Sequence, residues 1–213
     1  SYTELQKAYE KLILSASGWR KVFALSGDEQ DGTEPVSEAD RDLVFLAALA
    51  FAAFLPQCAS HITTIVVGTD SRPTGSALQT EILTALCTTA YADHVQSVGI
   101  AAAPEIMCYA KSLHAAFIYI SASHNPIGHN GLKFGIDTGG VLDSSQSAAL
   151  IALFTQKCRE VPPHEAINAQ RSTVNPSLLA SILSTQKANK QAALSAYHTF
   201  LKEVISNSQD PRE

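Results

Sequence analysis

Charged side chains are scarce in this chain. They make up 16% of 213 residues, against 46% apolar, which excludes the low-hydrophobicity, high-charge composition of a disordered protein. Basic residues are outnumbered 15 to 20, for a formal charge of −5. No stripe of Lys and Arg interleaved with aromatics occurs, so nucleic acid is not an expected partner. Cysteine is sparse and scattered: Cys58, Cys87, Cys108 and Cys158 form no CxxC pair. That argues against a zinc site or a disulfide framework and for free buried thiols in a reducing compartment. The longest apolar run, Leu43 to Leu55, is 13 residues, short of the roughly 20 that a membrane helix needs. The opening residues carry no signal-peptide pattern, so the cytoplasm is the expected location and no membrane the expected partner.

What is present is enough for one substantial domain with its own core and a piece of a second. Leu5, Ala8, Tyr9 and Leu12 recur at helical spacing, predicting a short leading helix within residues 2–14. "KVFAL" is strand-like, and "GDEQDGTEPV" (27–36) reads as an acidic surface loop. Ser37 and Asp40 form a capping pair that opens a helix to about Leu55, apolar on every side and therefore expected between layers.

From there strands and helices alternate. Strands are predicted at 63–68, 94–100, 115–121 and 131–136, and helices at 76–91, 104–113 and 143–157. The alternation predicts an α/β fold, a three-layer α/β/α domain with a mixed, largely buried sheet. That domain covers residues 1–160. Three prolines and no apolar period make 161–176 a linker, and 177–213 the helical, incomplete start of a second domain.

"YISASHNPIGHNGLKFG" (119–135) packs Ser123, His124, Asn125, Asn130 and Lys133 behind an apolar strand. A serine there sits at the carboxyl edge of a sheet, where open α/β folds gather their chemistry. Asn130-Gly131 is a strong turn signal, expected to reverse the chain into "LKFGI". Alternation along that strand buries Leu132 and Phe134 and turns Lys133 to the other face, back towards Ser123. A serine beside an ammonium, an imidazole and several N–H donors is a place to hold phosphate. The plainer reading is a polar loop capping a strand. A serine hydrolase fits less well, because Gly-x-Ser-x-Gly is absent and His124 adjoins Ser123.

"SASHNPIGHNGLKFG" resembles the phosphoserine loop of the α-D-phosphohexomutases, the superfamily of phosphoglucomutase and phosphomannomutase, with Ser121 where the family carries Thr. "SASGWR" (15–20) is similar to the family's Gly-Thr-Ser-Gly-x-Arg opening, with Ser15-Ala16 in place of Gly-Thr, and "GTDSR" (68–72) resembles its Gly-x-Asp-x-Arg segment. The three stretches occur in the family's order and imply its domain I, with phosphoryl exchange between the 1- and 6-positions of a hexose. The resemblance makes Ser123 the phosphoryl carrier and, through its phosphate, a ligand of Mg²⁺. Lys133, or else His124, shuttles the proton, and Arg20 stabilises the developing charge. Arg20, Asn125, Asn130 and Arg72 become phosphate-side ligands, and hexose 1,6-bisphosphate the intermediate and activator.

The family's Asp-x-Asp-x-Asp metal loop is not matched here; Asp28 and Asp31 do not form it. The resemblance therefore implies an amino-terminal part of a longer mutase, inactive by itself, whose remaining domains supply the metal ligands and read the sugar. "GWRK" and "GTDSRPTG" tilt the substrate towards glucose phosphate. The alternative is a free-standing, non-catalytic phosphosugar-binding or regulatory domain of the same fold.

Overall fold

The computed structural model describes residues 2–160 and 164–206. Within them β1 (Trp19–Val22), β2 (Ile65–Thr69), β3 (Val95–Ile100), β4 (Ala116–Ile120) and β5 (His129–Gly135) form one sheet in the order β1-β5-β4-β2-β3. Strand β2 runs parallel to β3 and β4, whereas β5 is antiparallel to β4 and β1. The α-helices are α1 (Tyr2–Glu10), α2 (Glu38–Cys58), α3 (Gly75–Leu86), α4 (Ala103–Ser112), α5 (Ser144–Arg159), α6 (His164–Ser172) and α7 (Pro176–Ser206).

Strand alternation divides the apolar residues between two cores. Ile65, Val67, Ala116, Ile118, Ile120, Leu132 and Phe134 face the larger one, shared with α1, α2, α3 and α5. Val66, Val98, Phe117 and Tyr119 face the smaller one, shared with α4 and with Ala193 of α7. The result is the expected α/β/α sandwich with a mixed, buried sheet.

Helix α2 is long and apolar enough by composition to cross a membrane, yet it is packed by α1, α3 and α5 and buried along most of its length. It is a core helix, and the expectation of burial between layers holds. Ser37 caps it, its hydroxyl accepting from the Asp40 N–H at 3.1 Å. Asp143 and Gln146 form a full capping box at the start of α5. An aromatic chain ties the edge of the sheet to the helices. Trp19 lies 4.7 Å from Phe134 and 4.6 Å from Phe154, and Phe51 of α2 lies 5.0 Å from Phe134, all between ring centroids. Burying each such ring contributes roughly 1.5–3 kcal/mol. The chain fixes the edge strand β1 and, with it, the position of Arg20.

Two local expectations differ from the structure. Asn130 and Gly131 are not a turn: they lie inside β5, opposite Lys21 and Arg20 of β1. The reversal is made upstream, by residues 121–128. Gly131 is required for close approach, since a Cβ there would sit 2.2 Å from the Trp19 carbonyl oxygen.

Thr74 stands at the N-cap of α3 but makes no side-chain cap hydrogen bond. The Thr74 hydroxyl instead accepts from Asn130 Nδ2 at 3.0 Å.

The stretch read as a linker holds helix α6 over 164–172; residues 161–163 lie outside the described residues. Its charges have partners far away in sequence. Arg171 bonds Asp42 of α2 at 2.6 Å and Glu81 of α3 at 3.0 Å, and His164 Nδ1 meets Asp42 at 2.6 Å. Ile167 is buried beneath them. Helix α7 packs along β3 and α4. Its Gln186 accepts from Ser97, its Asn189 donates to the Ser97 carbonyl, and Lys190 pairs with Glu105. All four cysteines are unpaired, as expected, but only Cys158 is fully buried.

Candidate active site

The parallel strands β2 and β4 end side by side, and each delivers a polar loop at its carboxyl end. After β4 the chain turns through Ser121–Gly128 and returns as β5. Ser123 occupies the left-handed region, with φ 58°, a conformation costing a non-glycine residue roughly 1–2 kcal/mol. The surroundings hold it there. The Ser123 N–H donates to Ser121 Oγ at 3.1 Å, so the hydroxyl at 121 has a structural use. Asn125 closes the turn, donating from its backbone N–H and from Nδ2 to the Ala122 carbonyl at 3.2 and 2.7 Å. Ser123 and His124 remain exposed at the tip.

A cleft of ≈ 250 Å³ opens beside the tip. Ser121–Asn125 form one wall; Ser17–Arg20 and Lys133 form the other. Arg20 reaches it from β1, held by backbone bonds to Ile13 in both directions, at 3.0 and 2.9 Å. Lys133 reaches it from β5, on the face opposite Leu132 and Phe134. Gly18, at φ 131°, lies so close to Lys133 that a Cβ would stand 3.0 Å from Lys133 Cγ. The Ser15 hydroxyl pins that turn by donating to the Gly18 carbonyl at 2.6 Å.

The electrostatics are one-sided. The protein is acidic overall, yet no carboxylate lines this cleft. Among the described residues, no protein acceptor takes a hydrogen bond from the Arg20 guanidinium, the Lys133 ammonium or the His124 imidazole, and neither cation has an ion-pair partner. Lys21, one residue from Arg20, shows the contrast: it is buried and paired with Asp40. Free donors converging on a serine hydroxyl suit a phosphoryl group.

Ser123, His124, Asn125, Lys133 and Arg20 are thus brought together. Asn130 and Arg72 are not available to a ligand. Asn130 is fully buried, bonded to Thr74 and to the N–H of Gly131. Arg72 lies behind the serine loop, with its guanidinium bonded to Asp70 and to four loop carbonyls. His129 also turns away from the cleft; its Nε2 lies 3.5 Å from Glu29, and its Nδ1 is buried without a partner. Sequence reasoning missed Asp70, whose Oδ1 and Oδ2 accept from the Arg72 N–H and Nε and aim that guanidinium. The signal was the Asp-x-Arg spacing, which suits an Asx turn.

Tyr119, beneath the loop, donates to the Ala101 carbonyl at 2.8 Å. Burial, with the Asp70 charge adding to it, pushes its phenol up to about 12. It is a neutral strut.

No group of three or more His, Cys, Asp and Glu able to hold a metal occurs among the described residues. Asp70, the carboxylate lining the adjoining cleft on the Arg72 side, has both oxygens engaged. The described residues therefore do not make a Mg²⁺ site.

Comparison with known proteins agrees with this geometry. Residues 27–160 match the family described as phosphoglucomutase/phosphomannomutase, alpha/beta/alpha domain I. Phosphoglucosamine mutase of Pelotomaculum thermopropionicum is 34% identical over 99 residues, 46% of this chain and 22% of that protein. The Bacillus cereus phosphoglucosamine mutase is 33% identical over the same shares. The chain thus spans about a fifth of the length of these curated relatives. A crystal structure assigned to phosphomannomutase, from Thermus thermophilus, has the same fold, with a TM-score of 0.52. It is 22% identical, and the match covers 68% of this chain and 30% of that one. A sandwich of this topology, carrying a serine loop at the carboxyl edge of its parallel strands and matched over most of its length, belongs to the phosphoglucomutase/phosphomannomutase family, as its α/β/α domain I.

Proposed function

We propose that this chain is the phosphoserine-bearing, amino-terminal part of a phosphohexomutase that interconverts hexose 1-phosphate and 6-phosphate. The observation supporting it most is the exposed Ser123 hydroxyl, held in a left-handed loop against a cleft where Arg20 and Lys133 stand unpaired. A hexose hydroxyl attacks the phosphorus of phosphorylated Ser123; the new P–O bond forms as the bond to Oγ breaks. Lys133, in its uncharged amine form, takes the proton of the attacking hydroxyl and passes it to the departing Ser123 Oγ, with His124 as the second choice. Arg20 holds the equatorial oxygens as charge develops, and Asn125 completes the loop. In the second half, Ser123 Oγ attacks the other phosphoryl group of the hexose 1,6-bisphosphate. The bond from that phosphorus to the sugar oxygen breaks, and the Ser123 proton passes through the same base to the freed sugar oxygen.

Glucose phosphate is the proposed substrate, on the strength of the Gly18–Lys21 and Gly68–Gly75 stretches. The glucosamine relatives name an alternative within the same chemistry. Mg²⁺ and the residues that read the sugar belong, in this reading, to domains outside the chain, so no step here runs through the metal. The helices α6 and α7 would lead from this domain into the next. The 213-residue chain by itself is proposed to be inactive, and a cytoplasmic location belongs to the same reading.

The test is incubation of the chain, joined to its remaining domains, with a hexose 1,6-bisphosphate, followed by intact mass. One added phosphoryl group, absent in Ser123→Ala, is expected. Phosphate-analogue binding at the cleft without any phosphoryl transfer to Ser123 would replace this reading with a binding module.

A further inference from the structure

Arg72 stands beside Ser123 yet offers a ligand nothing. Each of its five N–H bonds already has an acceptor. Nε meets Asp70 Oδ2 at 3.2 Å. Nη1 meets the Pro126 and His129 carbonyls at 2.5 and 3.2 Å, and Nη2 meets the Ser123 and Asn125 carbonyls at 2.8 and 2.6 Å. Four of the five acceptors are carbonyls of one short loop. Only a planar fork of fixed donors collects them all.

This convergence acts on the opposite side of each peptide as well. All described peptides are trans, so the N–H following a captured carbonyl points away from the guanidinium, save after Asn125, where Pro126 has no N–H. Behind the Ser123 and Pro126 carbonyls those N–H groups belong to His124 and Ile127. Neither donates to any acceptor among the described residues. Most of the loop's other amides are engaged: Ser121 with Gly131, Ser123 with Ser121 Oγ, Asn125 with Ala122, Gly128 with Glu29 and His129 with Pro126. The Ala122 amide also has no acceptor among the described residues, but it follows the Ser121 carbonyl, which Arg72 does not hold. His124 lines the cleft shared with Arg20 and Lys133, and Ile127 lines the adjoining one; Ser123 lies in both.

We propose that Arg72 is a positioning residue that sorts the peptide dipoles of the serine loop. It draws the carbonyls inward and leaves the amides of His124 and Ile127 outward, as donors to the oxygens of a phosphoryl group at Ser123. Without it, carbonyl oxygens would be free to turn towards the same phosphate and repel it. The assignment deepens the phosphoserine reading and rests on Ser123 as the carrier. It also replaces the expectation that Arg72 is itself a phosphate ligand.

The test is a titration of the 213-residue chain with inorganic phosphate, followed through its amide NMR resonances. In the wild type the His124 and Ile127 resonances move with phosphate. In Arg72→Lys the apparent affinity falls roughly tenfold or more, the magnitude of one lost hydrogen bond to a charged group. Hydrogen exchange then accelerates within 122–130 while the melting transition stays cooperative. Added guanidinium restores the two shifts in Arg72→Ala. An Arg72→Lys protein that is less stable but keeps both amide shifts and the wild-type affinity overturns the proposal, as does a wild type in which the two amides ignore phosphate. Should Arg72→Lys not fold, Asp70→Asn releases the aim of the guanidinium and must weaken phosphate in the same direction; unchanged binding overturns the proposal. Failure of Ser123 to accept a phosphoryl group would defeat the mutase reading alone, because the amide shifts do not depend on transfer.

Discussion

Replacing Gly131 by alanine tests whether the distance between the two walls of the cleft is set by a missing side chain. Gly131 lies between β1 and the end of β4, and an added Cβ would stand 2.2 Å from the Trp19 carbonyl oxygen and 3.0 Å from that of Ser121. Carbon and oxygen without strain keep at least about 3.3 Å apart, so β1 must retreat by about 1 Å. Both obstacles are backbone, which no rotamer change can relieve. Gly131 also accepts from the Ser121 N–H at 2.9 Å, and its φ is not in the left-handed region, so the penalty is steric alone. Overpacking at the upper end of its usual range, together with one weakened ladder bond, gives about 3–4 kcal/mol. For a domain of this size that lowers Tm by about 10 °C.

Gly140→Ala is the control, because its nearest neighbour would be Thr138 Oγ1 at an ordinary 3.8 Å. That variant should melt close to the wild type or slightly above it. Thermal unfolding by circular dichroism reads both. Below the transition, phosphate should bind Gly131→Ala more weakly, since Arg20 has been moved with β1. A Gly131→Ala protein melting within about 2 °C of the wild type would refute the steric reasoning.

Two further measurements probe parts far from the cleft. Arg171→Met leaves the carboxylates of Asp42 and Glu81, 5% and 9% exposed, with only His164 and Arg41 as partners. It should cost about 2–3 kcal/mol in urea unfolding and speed proteolysis within 164–172. A change below about 0.5 kcal/mol with unchanged cleavage would contradict the docking of α6. Burial pushes the Cys158 thiol up from 9.0 to about 12. Between those values the native state keeps a proton that the unfolded chain has released, so stability falls as pH rises, by up to about 1.4 kcal/mol per pH unit above about pH 9. Cys158→Ala should flatten that slope, and an identical slope in both proteins would show that the thiol is not the cause.

Most of the fold was legible because hydrophobic period and capping chemistry are local. The alternation from β2 to α5, the Ser37 cap and the all-round apolar α2 can each be read in a window of a few residues. The motif around Ser123 was legible for a similar reason: the loop is continuous, and alternation places Lys133 on the face opposite Leu132 and Phe134. What failed was decided at long range. The stretch 164–172 looks like a linker because His164, Asn168 and Arg171 give it little apolar character, yet the partners of its charges lie far back in the chain, on α2 and α3. Charges that find buried partners support a helix that composition alone does not predict.

Asn130 and Arg72 carry the same lesson into the site. Each residue type has a common local use, Asn before Gly as a turn and Arg near a serine loop as an anion ligand, and the structure withholds both from those uses. Asn130 is buried against Thr74, and its neighbour Gly131 admits the close approach of β1. Arg72 turns its charge inward on the loop's own carbonyls. Gly131 and Arg72 together arrange the cleft without lining it: one sets how near Arg20 stands to the serine loop, the other which end of each peptide the loop presents. A cation at the surface of the cleft would add a single attraction to phosphate. Behind the loop, the same cation also withdraws the carbonyls that would oppose it, and that makes the rear of this site as consequential for anion binding as its front.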